Sequence, residues 1–122
     1  MATTNQREKE AAMDIENSRS IEELRTWINN HLDDNHSLRN LSQRAGMSIS
    51  KMQRLFHDAY GCSVFAYIRT ERLIRAQKQL EITAMNIKSI SADAGYSSVP
   101  AFTAAFSSTF GKTPARFRRG TK

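Results

Sequence analysis

The side chains able to do covalent or metal chemistry are few and badly placed for it. His31, His36, His57 and the single cysteine, Cys62, share no Cys-x-x-Cys or His-x-x-x-His spacing that would gather metal ligands. His57, Asp58 and Ser63 are near in sequence, but turn and helix positions suit them to capping and surface roles better than to a catalytic triad. No Gly-rich phosphate loop is present. The expectation is a protein that is not an enzyme and uses no cofactor or metal.

What remains is cationic. Eighteen Lys and Arg stand against twelve Asp and Glu in 122 residues, a formal net charge of +6. Residues 1–24 carry three basic against six acidic side chains, −3, and residues 25–122 carry fifteen against six, +9. Such a surplus suits a polyanion, either nucleic acid or an anionic membrane surface. The membrane is the poorer fit, because the amphipathic faces are needed for a core. No run approaches the ~18 uninterrupted apolar residues of a membrane span. Met1 to Glu10 lacks the apolar stretch of a secretory signal. One cysteine allows no intrachain disulfide, which fits a reduced, cytoplasmic setting. The length allows one domain or two very small ones, with no room for a separate ligand-sensing domain.

Helices must position these cations. Residues 1–18 are polar, lack helical periodicity and read as a flexible leader, with helix at most near Met13–Ile15. Ser20 and Glu23 have the form of a capping box. Ile21, Leu24, Trp27, Ile28 and His31 or Leu32 then trace one apolar helix face, with Trp27 expected as a core anchor. Asp33-Asp34-Asn35 ends that helix.

The rest of the chain contains a duplicated unit. Leu38, Leu41, Ser42, Ala45, Gly46 and Ser48 match Ile87, Ile90, Ser91, Ala94, Gly95 and Ser97 at an offset of 49. Met52, Phe56, Tyr60, Gly61, Ser63, Tyr67 and Arg69 match Phe102, Phe106, Phe110, Gly111, Thr113, Phe117 and Arg119 at an offset of 50, which places one extra residue between Ser97 and Phe102. Each copy predicts a short helix (Ser37–Arg44 or Asn86–Asp93), a glycine turn, a serine cap at Ser48 or Ser97, and a second helix ended by Gly61 or Gly111. That is the layout of a helix-turn-helix. A helix from about Ser63 to Ile82 joins the copies, and Thr113-Pro114 opens a short basic helix, Ala115 to Arg119. Eighteen linker residues at ~1.5 Å each span ~27 Å, against ~34 Å between adjacent major-groove segments on one face of B-DNA.

The fold class is therefore all-α, with two helix-turn-helix subdomains, a long linker helix and about seven helices in all. The divisions are a leader, 1–18; a first subdomain, 19–62; the linker, 63–83; a second subdomain, 84–119; and a tail, 120–122.

These residues resemble a known family. Leu41 to Ser48, Gln53 to Phe56, Gly61-Cys62-Ser63 and Tyr67-Ile68-Arg69 look like the first half of an AraC/XylS-type DNA-binding domain. Arg72-Leu73 with Ala76 and Leu80 resembles its linker helix. Ile90, Ala94 to Ser98, Phe102, Phe106, Phe110 to Pro114 and Phe117-Arg118 follow the signature of its second half, so the likeness covers about residues 20–119. It implies a bacterial transcription regulator, usually an activator, with its two units in successive major grooves of double-stranded DNA. It further implies a chain that acts as a monomer on DNA, contacts RNA polymerase and has no membrane association. The absence of an effector domain resembles the short, stand-alone members, and Met1 with its leader suggests an intact protein, with a truncated domain of a longer regulator as the alternative.

The resemblance also suggests which residues meet DNA. Positions matching Ser50, Gln53 and Arg54 face base edges in the family. Gln53 suits adenine N6 and N7, and Arg54 suits guanine O6 and N7. Lys51 and His57 are expected near phosphates. The second recognition helix departs from the pattern, with candidates Val99, Thr103 and Ala104 beside Pro100, Ala101 and Ser107. Asp93 is the only charged residue from Ser89 to Gly111. Ala104 stands where many members have Arg. Either this helix contacts thymine methyls, or it binds weakly and leaves specificity to the first unit. In the second case the uncharged unit is a module that docks on polymerase or another regulator. Expected phosphate contacts are Arg39, Arg44, Lys51, Arg69, Ser97, Lys112, Arg118 and Arg119, with Lys88 and Arg116 further candidates. Arg118→Ala is expected to weaken all sequences alike, and Arg72 and Arg75 to face polymerase or pair with Glu71.

Overall fold

The structure, a computed structural model, describes residues 2–120, and their side chains from Asn5 onward. Thr121 and Lys122, most of the expected tail, lie outside the described residues. Seven helices are found among the described residues: α1 (Ala2–Asn29), α2 (Leu38–Ala45), α3 (Ile49–Tyr60), α4 (Val64–Ile82), α5 (Ile87–Asp93), α6 (Val99–Phe110) and α7 (Pro114–Gly120). The fold is all-α, with two helix-turn-helix pairs, α2–α3 and α5–α6. The chain divides into two compact units between Tyr67 and Ile68, inside α4.

α1 corrects the reading of the first residues. It runs unbroken from Ala2, so residues 2–18 are helical, not an irregular leader, and Ser20 sits mid-helix instead of capping a start. Periodicity was the wrong signal there, because residues 5–16 are all exposed and bury no face. Helix formers such as Glu8, Lys9, Ala11 and Ala12 suffice once packing at Ile21, Leu24 and Ile28 has met the nucleation cost. Gln6 Nε2 also donates to Glu10 Oε1, one turn on, at 3.2 Å.

In the first unit, Ile21, Leu24 and Ile28 of α1 pack with α2 and α3. Leu41, Ala45, Met52 and Phe56 are the buried apolar residues those two helices supply. Phe56 meets Tyr60 and Tyr67 edge-on at 4.9 and 5.5 Å. The Tyr67 hydroxyl donates to Asn29 Oδ1 at 2.9 Å. In the second unit, Leu73, Ala76 and Leu80 of α4 form a core with Ile90, Ala94, Phe102 and Phe106.

Every helix after α1 begins with a side-chain cap. Ser37, Ser48, Ser63, Asn86, Ser98 and Thr113 accept from the amides of Asn40, Lys51, Ala66, Ser89, Ala101 and Arg116 at 2.8–3.2 Å. Ser98 caps α6, where the sequence suggested Ser97. The extra residue of the second copy therefore lies in its turn, between Gly95 and Ser98. Gly46 (φ 71) and Gly95 (φ 91) both sit in the left-handed region that lets each turn reverse the chain.

Candidate nucleic-acid interface

α3 buries Met52 and Phe56 completely. At ~100° per residue, Ser50, Gln53, Arg54 and His57 fall on the opposite side of the helix. All four are exposed there, while Lys51 is half-buried on the flank. The Ser48 cap fixes where this helix begins, and Gly61, left-handed at φ 75, ends it with its amide donating to the His57 carbonyl at 2.7 Å. The face thus offers an amide, a guanidinium, a hydroxyl and an imidazole from one rigid element. Those groups match the hydrogen-bonding edges of bases in a major groove.

α6 repeats the scaffold without an amide, guanidinium or imidazole side chain. It too has 12 residues, a serine cap, a glycine terminator and two fully buried aromatics, Phe102 and Phe106. Pro100, Ala101, Ala104 and Ser108 are exposed, and Val99, Thr103 and Ser107 half-buried.

The phosphate candidates separate into two groups. Arg39, Arg69, Ser97, Lys112 and Arg119 are exposed, as are Lys88 and Arg116. Arg44 is exposed too, but its guanidinium lies 3.9 Å from the centroid of the Trp27 ring. Arg118 is different, because its guanidinium is engaged within the protein. Its Nε donates to the Leu80 carbonyl at 3.1 Å and its Nη2 to the Thr83 carbonyl at 3.3 Å. The last carbonyls of α4 lack intrahelical donors and carry the negative end of the helix dipole, so a guanidinium is drawn there. Arg118 fastens α7 to the end of α4.

Arg75 and Arg72 also turn inward instead of presenting a free surface. Arg75 Nη2 donates to the Asp93 carbonyl at 2.7 Å, at the end of α5. Arg72 Nη1 lies 3.4 Å from where a Cβ on Gly95 would stand. Both arginines thus reach the turn of the second helix-turn-helix. Beside them the Tyr96 hydroxyl oxygen is buried with no hydrogen-bond partner. Burial pushes its pKa above the usual phenol value, and the charges of Arg69 and Arg72 act against that rise.

Trp27 is half-buried, not a core anchor. It sits at the edge of the Ile21–Leu24–Ile28 stripe, where the His31 ring stacks on it at 4.1 Å and His36 meets it edge-on at 5.6 Å. His31 Nδ1 and His36 Nε2 lie 2.7 and 2.8 Å from the carbonyl oxygens of Trp27 and His31, so His31 donates to the last turn of α1 and His36 to the chain just beyond it. Among the described residues no three or more His, Cys, Asp or Glu side chains group as metal ligands. No described helix is long and apolar enough to cross a membrane.

A helix-turn-helix domain family matches residues 41–120. Regulatory protein SoxS of Escherichia coli is 32% identical over 98 residues, covering 80% of this chain and 92% of that protein. The chain belongs to the AraC/XylS family. Transcriptional regulator Rob of Salmonella typhimurium is 38% identical over 102 residues, covering 84% of this chain. The chain spans about a third of Rob's length, 35%. The solved DNA-binding domain of AdpA, in complex with a target DNA, superposes with a TM-score of 0.75 at 26% identity, covering 82% of this chain and 90% of that one. Within that family's domain, α2–α3 and α5–α6 are the two helix-turn-helix units.

Proposed function

We propose that this AraC/XylS chain regulates transcription by binding specific sequences of double-stranded promoter DNA, with α3 reading bases in one major groove. The carrying observation is the exposed quartet Ser50, Gln53, Arg54 and His57 on a capped helix whose other side holds fully buried Met52 and Phe56. Gln53 pairs with an adenine edge and Arg54 with a guanine edge. Arg39, Arg44, Lys51, Arg69, Ser97, Lys112 and Arg119 contribute phosphate contacts. The two units occupy successive grooves and act as a monomer, since the duplication supplies within one chain the two reading helices a dimer would supply. The regulator works in the bacterial cytoplasm, on the nucleoid when bound, and as an activator that touches RNA polymerase. The similar AdpA domain, solved in complex with a target DNA, supports DNA as the partner.

The test is selection of bound duplexes from a random pool, followed by affinity titration of the winner at several salt concentrations. About six phosphate contacts give a slope of roughly −5 in log K against log salt. A chain that enriches no duplex, or binds with a slope near zero, is not a DNA-reading regulator. The uncharged exposed face of α6 favours a second reading, a module docking on polymerase or another regulator. That reading requires a DNA-free complex that is insensitive to salt.

A further inference from the structure

We propose that α6 is a thymine-methyl reader, whose Pro100, Thr103 and Ala104 receive the C5 methyl groups of T·A pairs in the second major groove. The inference rests on the DNA-binding reading above and adds what the second unit recognises.

The register between the two recognition helices is set by structure. Cap Ser48 corresponds to Ser98, terminator Gly61 to Gly111, and fully buried Met52 and Phe56 to Phe102 and Phe106. All four pairs share one offset of 50 residues, and both helices are 12 residues long. The positions that carry Ser50, Gln53 and Arg54 on α3 therefore carry Pro100, Thr103 and Ala104 on α6. Pro100 and Ala104 are exposed and Thr103 half-buried, so this face is presented, not packed away.

Its chemistry favours apolar base contact. The proline ring, the alanine methyl and the threonine methyl are apolar, and a single hydroxyl is the only side-chain hydrogen-bonding group among the three. Of the four bases, only thymine offers an apolar group to the major groove. Ala104 ends at Cβ, so the helix axis can approach the bases more closely than an arginine there would permit. Close approach buries the methyls. It also strips water from any guanine acceptor or cytosine amino group in the same place without returning a hydrogen bond, which penalises G·C pairs. One face thus supplies both the attraction to T·A and the discrimination against G·C. The two units divide the labour: α3 selects by hydrogen bonds, α6 by methyl contact.

The experiment replaces thymine by deoxyuridine, which deletes only the C5 methyl, one position at a time throughout the duplex selected by the full chain. Each methyl contacted by α6 should cost about three- to fourfold in affinity, the loss expected for one buried methyl-sized group. The loss should cluster in the half-site not affected by Arg54→Ala. Substitutions in the flanks should be silent. Ala104→Ser, with its fold checked by circular dichroism, should cut the uracil penalty at one position to less than about twofold. Uracil tolerated at every position of that half-site, while Arg54→Ala still erases discrimination in the other, overturns the thymine proposal and leaves α3 as the sole reader. Failure to select any duplex overturns both readings together.

Discussion

Replacing Arg118 by alanine removes the guanidinium that ties α7 to the end of α4. Two hydrogen bonds are lost, to the Leu80 and Thr83 carbonyls. A hydrogen bond from a charged donor contributes ~1.5–3 kcal/mol when geometry is good. These two are long, at 3.1 and 3.3 Å, against the ~2.7–2.9 Å of strong charge-assisted bonds. Arg118 is also only partly buried, so water can reach the released carbonyls. The net cost is therefore about 1–2 kcal/mol for the pair. In a unit of this size each kcal/mol moves the melting temperature by ~4–8 °C, so Arg118→Ala should lower it by about 4–16 °C. Circular dichroism on heating measures this. Arg118→Lys should recover only part of the loss, because one ammonium cannot reproduce the two-pronged donor. At temperatures where the variant is folded, its affinity for DNA should stay within about twofold of the parent. An unchanged melting temperature together with weaker binding to every duplex would refute the clasp and restore Arg118 as a phosphate contact.

The remaining predictions concern the two turns and a buried hydroxyl. Gly46→Ala and Gly95→Ala both force a Cβ into the left-handed region, at a cost of roughly 1–2 kcal/mol. A Cβ at Gly46 meets nothing within 4 Å, and one at Gly95 meets only the end of the Arg72 side chain at an ordinary contact distance of 3.4 Å, so the two variants should lose similar stability. A melting temperature for either variant equal to the parent's would contradict the left-handed strain. Tyr96→Phe should raise stability at neutral pH by about 1 kcal/mol, since it removes a buried hydroxyl that has no partner. Because the folded-state pKa of Tyr96 is raised above the reference value of 10.0, its contribution is complete below that pH. It is lost as pH rises from there through the folded value. Denaturant titrations should therefore show a shallower alkaline loss for Tyr96→Phe than for the parent, and identical slopes would contradict the buried, unpartnered phenol.

Much of the helix-turn-helix architecture was legible because its signals are local. Ser48, Gly61, Ser63 and Gly111 mark helix ends through cap and turn chemistry that needs no tertiary context. Met52, Phe56, Phe102 and Phe106 announce the core by spacing alone. Other features depended on what the sequence does not display. Residues 2–18 form helix by propensity and extension from a packed segment, so a search for an apolar stripe misses them. Trp27 shares the stripe's spacing but stands at its edge, where stacking with His31 and Arg44 takes the place of burial. Arg72, Arg75 and Arg118 look like any surface cations in sequence. The groups they approach lie at helix ends 18 to 38 residues away or in a distant turn, and only the folded chain brings those together. The cap at Ser98 was ambiguous for a simpler reason: two adjacent serines each satisfy the pattern.

The central claim is that α3 reads bases, and Arg54→Ala tests it most directly. The measurement is the ratio of affinities for the selected duplex and a scrambled one, at fixed salt. Loss of one bidentate guanine contact should cost ~1–3 kcal/mol on the selected duplex alone, lowering the ratio about 5- to 150-fold and relaxing a single base position. An unchanged ratio, with both affinities falling together, would mean that Arg54 only neutralises phosphate and that α3 is not the reading helix.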